Sequence, residues 1–217
     1  LVDRIVVEGR RAVGIVALRH GRAITIRARG SVVLSAGAIG SPAILQRSGV
    51  GAPDVLRPLG IEVAHALPAV GRHLQDHLCI DHLYRARVPT LNQELRPLAG
   101  KLRVGLRYLV SRGGPLSLSV NQAGGLVRSR EGLTHPDMQL YFSPLSYTRT
   151  PPGKRPLMQP DPEPGFLLSA QPCRPRSRGE IRIHSRDPAD SPLILPNSLT
   201  DPGDLDDLVA GARLLRR

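Results

Sequence analysis

The sequence predicts an α/β piece over residues 1–83, then an α+β, antiparallel-sheet piece over 84–200, with a helix over 201–217 leading onward. Two observations carry that division. Before residue 84, β-branched alternating runs give way to a glycine-punctuated strand-to-helix junction. After it, strand-like stretches follow one another with no helix between them, as in an antiparallel sheet. Leu1 enters a strand pattern midway and Arg217 leaves within a helical one, so both pieces are read as incomplete.

Val2–Val7 and Val13–Leu18 flank Glu8, Gly9 and Arg10, which reads as a hairpin, and Gly21-Arg22 turns into a third run, Ala23–Ala28. Ser31–Ala36 is nearly continuous and apolar, the pattern of a strand buried on both faces of a parallel sheet. Ser41 before Pro42 suggests an N-cap and first helical position, and Gly49 and Gly51 suggest the end of that helix. A short helix is expected over Pro53–Leu59, closed by Gly60. Leu95, Leu98, Leu102, Leu106 and Leu109 have helical spacing, broken by Pro97 and Gly100. Strands are expected at Ala123–Val127, Met138–Phe142, Phe166–Gln171 and Glu180–His184. Pro144–Pro164 reads as a long surface excursion. Asp201–Arg217 places acids first and arginines last, matching a helix dipole.

Composition narrows the classes. The 217 residues carry 30 Lys+Arg against 18 Asp+Glu, a net charge of +12, yet only Lys101 and Lys154 are lysines and the arginines are scattered. With 3% aromatic residues and no Trp, a base-stacking nucleic-acid surface is not expected. Cys79 and Cys173 are too few for a disulfide framework or a four-thiolate zinc site and read as small buried hydrophobes. No apolar run is long enough for a membrane span. The chain is read as belonging to a reducing compartment, cytoplasmic, with attachment to a membrane surface left open.

The informative segment is Gly37–Gly51, GAIGSPAILQRSGVG. Glycines at a strand-to-helix junction let a ligand approach the backbone, and a helix start offers unpaired N–H groups. The string resembles the second signature of the glucose–methanol–choline (GMC) family of FAD-dependent oxidoreductases at Gly37, Ala38, Ser41, Pro42, Ile44, Leu45, Ser48, Gly49, Val50 and Gly51. The flanks Arg11–Gly14, Val70–His77, Ser177–Gly179 and Ser185–Pro188 agree, and the likeness is greatest to choline-dehydrogenase-like members.

The resemblance implies part of an FAD-binding domain and part of an antiparallel substrate domain. It implies FAD as cofactor and a small-molecule alcohol, choline-like molecules included, as substrate; the electron acceptor stays open between a quinone and oxygen. It also implies that Val2, Ala36 and Gly37 lie beside the adenine end of FAD. The family's Gly-x-Gly-x-x-Gly turn and its catalytic His, with a His or Asn partner, match nothing in this chain, so no residue here is assigned as catalytic base.

Rival readings are weaker. His73, Asp76, His77, Asp81 and His82 cluster, but Gly71 argues against the helix that a His73–His77 zinc pair would need, and no metal is expected. A serine hydrolase lacks its Gly-x-Ser-x-Gly elbow. Gln122, beside Gly124-Gly125, is either a plain strand residue or, by family analogy, close to the substrate cavity. An inactive relic or truncated fragment of such an enzyme remains the alternative.

Overall fold

Three strands open the chain in the computed structural model, which describes residues 1–148 and 159–216. β1 (Val2–Glu8), β2 (Arg11–Arg19) and β3 (Arg22–Arg27) form an antiparallel meander in the order β1-β2-β3. The hairpin turns fall where Gly9 and Gly21 adopt positive φ. These strands belong to a first unit, Leu1–Asp76 with Arg176–Asp201; the second is His77–Pro175 with Pro202–Arg217. The chain thus crosses between units three times.

The first unit is organised around α1 (Gly37–Arg47). This helix begins four residues before the expected Ser41. Ala36 is its N-cap, and Ser41 instead accepts the Ala36 N–H from inside the first turns, at 3.0 Å. Gly37, at φ +79°, supplies the turn that admits the helix early. The expected strand Ser31–Ala36 is not formed, and Val33 is 84% exposed. A strand buried in a parallel sheet needs a ladder partner on each side, and no described strand lies beside this run. The parallel pair that does occur is β4 (Val50–Gly51) with β5 (His65–Ala66). Between them α2 (Pro53–Leu56) runs into a 3-10 turn over Arg57–Leu59 and stops at left-handed Gly60, as the sequence suggested.

After β5 the chain enters β6 (Arg72–Leu74), which pairs with β13 (Gly179–Arg182), and β13 pairs with β14 (Leu193–Leu195). Ala43 of α1 packs with Leu56, Ile61 and Ile183 in a small apolar core. The polar bond across this core is made by Gln46, 2% exposed. Its Nε2 donates to Val70 O at 3.2 Å and Ile181 O at 3.0 Å, while its Oε1 accepts Ile183 N–H at 2.9 Å. A Cβ at Gly71 would stand 2.1 Å from Ile181 O and 2.5 Å from the Gln46 amide nitrogen, so only glycine lets the chain pass this clamp.

The second unit is a four-stranded antiparallel sheet in the order β7-β12-β9-β8. Its strands are β7 (Ile80–Arg85), β8 (Ala123–Val127), β9 (Met138–Ser143) and β12 (Gly165–Pro172). A two-residue ladder joins β10 (Tyr147–Thr148) to β11 (Gln159–Pro160); the rest of the expected excursion, 149–158, lies outside the described residues. α5 (Pro202–Leu214) brings Leu215 onto Met138 and Ala170, and Tyr84 donates to Leu215 O at 2.7 Å. Arg130 pairs with Asp207 on α5. The leucine-spaced segment divides at Pro97 into α3 (Leu91–Leu95) and α4 (Leu98–Ser111). Gly100 does not break α4. A Cβ there would stand 1.8 Å from Glu94 O, so glycine is what the crossing requires. The buried face of α4 is Gly100 and Val104, leaving Leu98, Leu102, Leu106 and Leu109 each more than 60% exposed.

Two measurements follow from these contacts. Replacing Gln46 with Leu strips partners from three backbone groups, and is expected to cost about 3 kcal/mol in urea unfolding, with the midpoint lowered. An unmoved midpoint would show that the clamp is dispensable. The second concerns Asp137. Partial burial alone would raise its carboxyl, but Ser129 donates to it from both hydroxyl (2.6 Å) and backbone N–H (2.7 Å), and with nearby Arg130 holds it below the ordinary carboxylate range. A depressed folded value stabilises fully above the unfolded value of about 4, and that stability is lost as pH falls through the folded value. Ser129→Ala should therefore be less stable near neutrality, by on the order of 1 kcal/mol, and converge with the parent in acid. A constant offset at every pH would contradict this.

Candidate functional site

The signature segment is α1 and its exit. At the N-terminal end, Ala36 and Gly37 are exposed, and beyond its chain neighbours and the backbone of its own helix nothing lies within 4 Å of where a Gly37 Cβ would stand. The first N–H groups of an eleven-residue helix have no partner within the helix, so open backbone here suits a flat or acceptor-bearing group brought close to the chain. At the opposite end the same helix is tied to β1. Ser48 donates from its hydroxyl to Ile44 O at 2.6 Å and accepts Ile5 N–H at 2.8 Å, and Arg47 Nε donates to Asp3 O at 2.9 Å. Burial lowers the Arg47 pKa, while Asp3 and Asp187 oppose that. Gly49 O accepts from Ala64 and His65. Half-buried Val2 pairs with Ala17 in the β1–β2 ladder, beside the residues anchored to the helix C-terminal end. The helix, about 16 Å long, therefore separates that anchor from Ala36 and Gly37.

The second unit holds a cavity of about 310 Å3 between α3, the start of α4 and the Pro115–Gln122 segment. Its wall is mainly Leu91, Leu95, Leu116, Leu118 and Leu145, with Lys101, Ser119 and Gln122 as polar members. Gln122 precedes β8 and donates its N–H to Phe142 O at 3.0 Å, which fixes its register at the sheet edge. Behind the cavity, Asn92 is fully buried. It donates to Ser146 Oγ (2.9 Å), Asp161 O (3.2 Å) and Glu163 O (2.9 Å), and accepts Ser146 N–H at 2.9 Å. Thr90 caps α3 in a reciprocal box with Gln93, so Asn92 is presented from a pinned first turn.

The residues singled out from the sequence fare unequally. Gln122 does line a cavity. The histidine–aspartate cluster is dispersed: His73 sits at positive φ in β6 rather than on a helix, and exposed His77 meets Cys173 O at 3.2 Å. Among the described residues no group of three or more His, Cys, Asp or Glu could hold a metal ion. Cys79 and Cys173 form no disulfide and are half-buried rather than fully buried. Sequence reading passed over Gln46 and Asn92. Their one available signal was an amide set among apolar neighbours, in AILQ and in the first turn after Thr90.

Comparison with known proteins agrees at both ends of the chain. Residues 1–79 match the N-terminal GMC oxidoreductase family model and 175–217 match the C-terminal one. The chain belongs to the GMC oxidoreductase family, whose members bind FAD, and it comprises portions of the FAD-binding and C-terminal domains. Among curated relatives, it is 37% identical over its whole length to human mitochondrial choline dehydrogenase and 34% identical to oxygen-dependent choline dehydrogenase of Paraburkholderia phytofirmans. The chain spans 35% and 37% of those two proteins, so it corresponds to a little over a third of such an enzyme. Pyridoxine 4-oxidase from Mesorbium loti superposes with a TM-score of 0.77 at 25% identity, covering 99% of this chain and 37% of that one. A formate oxidase superposes at 0.86 and 21% identity, covering 99% and 41%, a likeness of fold alone. No helix among the described residues is long and apolar enough to cross a membrane.

Asn92→Leu would leave the Asp161 and Glu163 carbonyls and the Ser146 N–H without this partner. It is expected to destabilise the second unit by about 3 kcal/mol, read as early loss of amide-exchange protection in β9 and β12. Protection equal to that of the parent would contradict this role.

Proposed function

We propose that this chain is part of an FAD-dependent alcohol oxidoreductase of the choline-dehydrogenase type, in which hydride passes from an alcohol carbon to the flavin. The observation that carries this is the open approach to Gly37, beside exposed Ala36, on the helix that bears the family signature. Ala36 and Gly37 would hold the adenine end of FAD through backbone groups; Val2, beside the opposite end of α1, is assigned to that end of FAD by the family resemblance alone. Bound FAD supplies the hydride acceptor.

This chain's own contribution is to hold and orient. Ser48 and Arg47 lock α1 to β1, Gln46 locks it to β13, and together they keep the Ala36–Gly37 turn in place. The proton of the substrate hydroxyl is left to residues of the larger enzyme, since no side chain here matches the family's catalytic His. The 217 residues alone are accordingly expected neither to turn over an alcohol nor to hold FAD tightly. A truncated, non-catalytic fragment is the second reading, favoured by that missing His and by the span of about a third of the relatives' length.

Sequencing the DNA on both sides separates the two: an in-frame Gly-x-Gly-x-x-Gly upstream and a His with a His or Asn partner downstream are expected for the enzyme, stop codons or frameshifts for the relic. For the intact reading frame, anaerobic addition of an alcohol should bleach the flavin absorbance. In that protein Gly37→Val should weaken FAD at least ~fivefold, about 1 kcal/mol, because a β-branched residue disfavours φ +79° and fills the open approach. FAD retention equal to the parent's would remove Gly37 from the site.

A further inference from the structure

We infer that the cavity of the second unit takes an uncharged aliphatic alcohol and rejects quaternary ammonium compounds, so that the substrate class departs from the choline named for the relatives. This rests on the alcohol-oxidoreductase reading above only for calling the ligand a substrate; the binding preference stands on the cavity itself.

Recognition of a quaternary ammonium uses aromatic faces or a carboxylate to replace the water stripped from the cation. Among the described residues neither lines this cavity. Its described wall is mainly aliphatic, with Leu91, Leu95, Leu116 and Leu118 among the lining residues, and its polar members are Lys101, Ser119 and Gln122. No ion pair among the described residues engages Lys101. Glu94, the acid next along α3, pairs instead with Arg103 at 3.4 Å. A cation entering would therefore meet a like charge at exposed Lys101 and find no aromatic face or carboxylate to replace the water it sheds. An alkyl chain meets the reverse: it gains burial against the leucines, while its hydroxyl can exchange hydrogen bonds with the Gln122 amide or the Lys101 ammonium. At about 310 Å3 the cavity lies at the small end of ligand sites, which suits a medium-length chain rather than a nucleotide.

The test is titration of the 217-residue chain, its leucine methyl groups carbon-13 labelled, with octan-1-ol and separately with choline chloride. Octan-1-ol is expected to shift the methyl signals of Leu91, Leu95, Leu116 and Leu118, and choline to leave them in place at ~tenfold higher concentration. Leu118→Trp, at a position 60% exposed, should fill the cavity and weaken octan-1-ol at least ~fivefold; Leu116→Trp, 54% exposed, serves if the first variant loses its fold. Choline shifting the same methyls at comparable concentration would overturn the inference. So would octan-1-ol leaving them unmoved, or binding equally well to the filled variant. No flavin enters these measurements, so their failure is distinct from a flavin that alcohol does not bleach, which would remove the oxidoreductase reading and leave the binding preference intact.

Discussion

One buried amide holds the first unit together. Gln46 uses both its donor and its acceptor within a helix otherwise packed by alanine and isoleucine, and every group it satisfies belongs to a segment distant in sequence. Without that clamp, Ile183 and Val70 would bury backbone groups with no partner, a cost that apolar packing of a core this small would struggle to offset. The return of residues 176–201 to the first unit depends on it, as does the glycine at 71. Ser48 and Arg47, the next two residues, extend the clamp to β1. The C-terminal half of the signature is therefore a structural knot, and its open N-terminal turn is what remains available to a ligand.

The second unit repeats the device. Asn92 binds two segments of chain, at Ser146 and at Asp161–Glu163, from the first turn of α3, and the cavity stands beside it. A fully satisfied buried amide specifies one arrangement where leucines alone would tolerate several. That rigidity explains how a mainly aliphatic wall of modest size keeps its shape beside a loop-rich segment.

Family membership gives these parts a setting without supplying their chemistry. The chain carries portions of two domains of a flavoenzyme and about a third of the length of its relatives. It contributes helix, ladder and cavity wall. A cavity is selective through the few side chains that line it, and here those are mainly leucines, with Lys101, Gln122 and Ser119 as the polar ones.

Local chemistry was legible in the sequence wherever neighbours along the chain decide the outcome. The meander β1–β3 follows from alternation and two glycine turns, the stop at Gly60 from its left-handed φ, the break at Pro97 from a missing N–H, and α5 from its charge order. The GMC signature was legible for the same reason, being fifteen consecutive residues. Ser31–Ala36 read as a strand because its composition is that of one, yet a strand exists only through a partner, and partners are a tertiary fact. Gly100 read as a breaker because a bare glycine weakens a helix, whereas the approach of Glu94 O makes it a requirement. The roles of Gln46 and Asn92, the exposure of the α4 leucines and the gathering of Lys101 with Gln122 could be decided only by the fold, because each depends on segments tens of residues apart meeting in space.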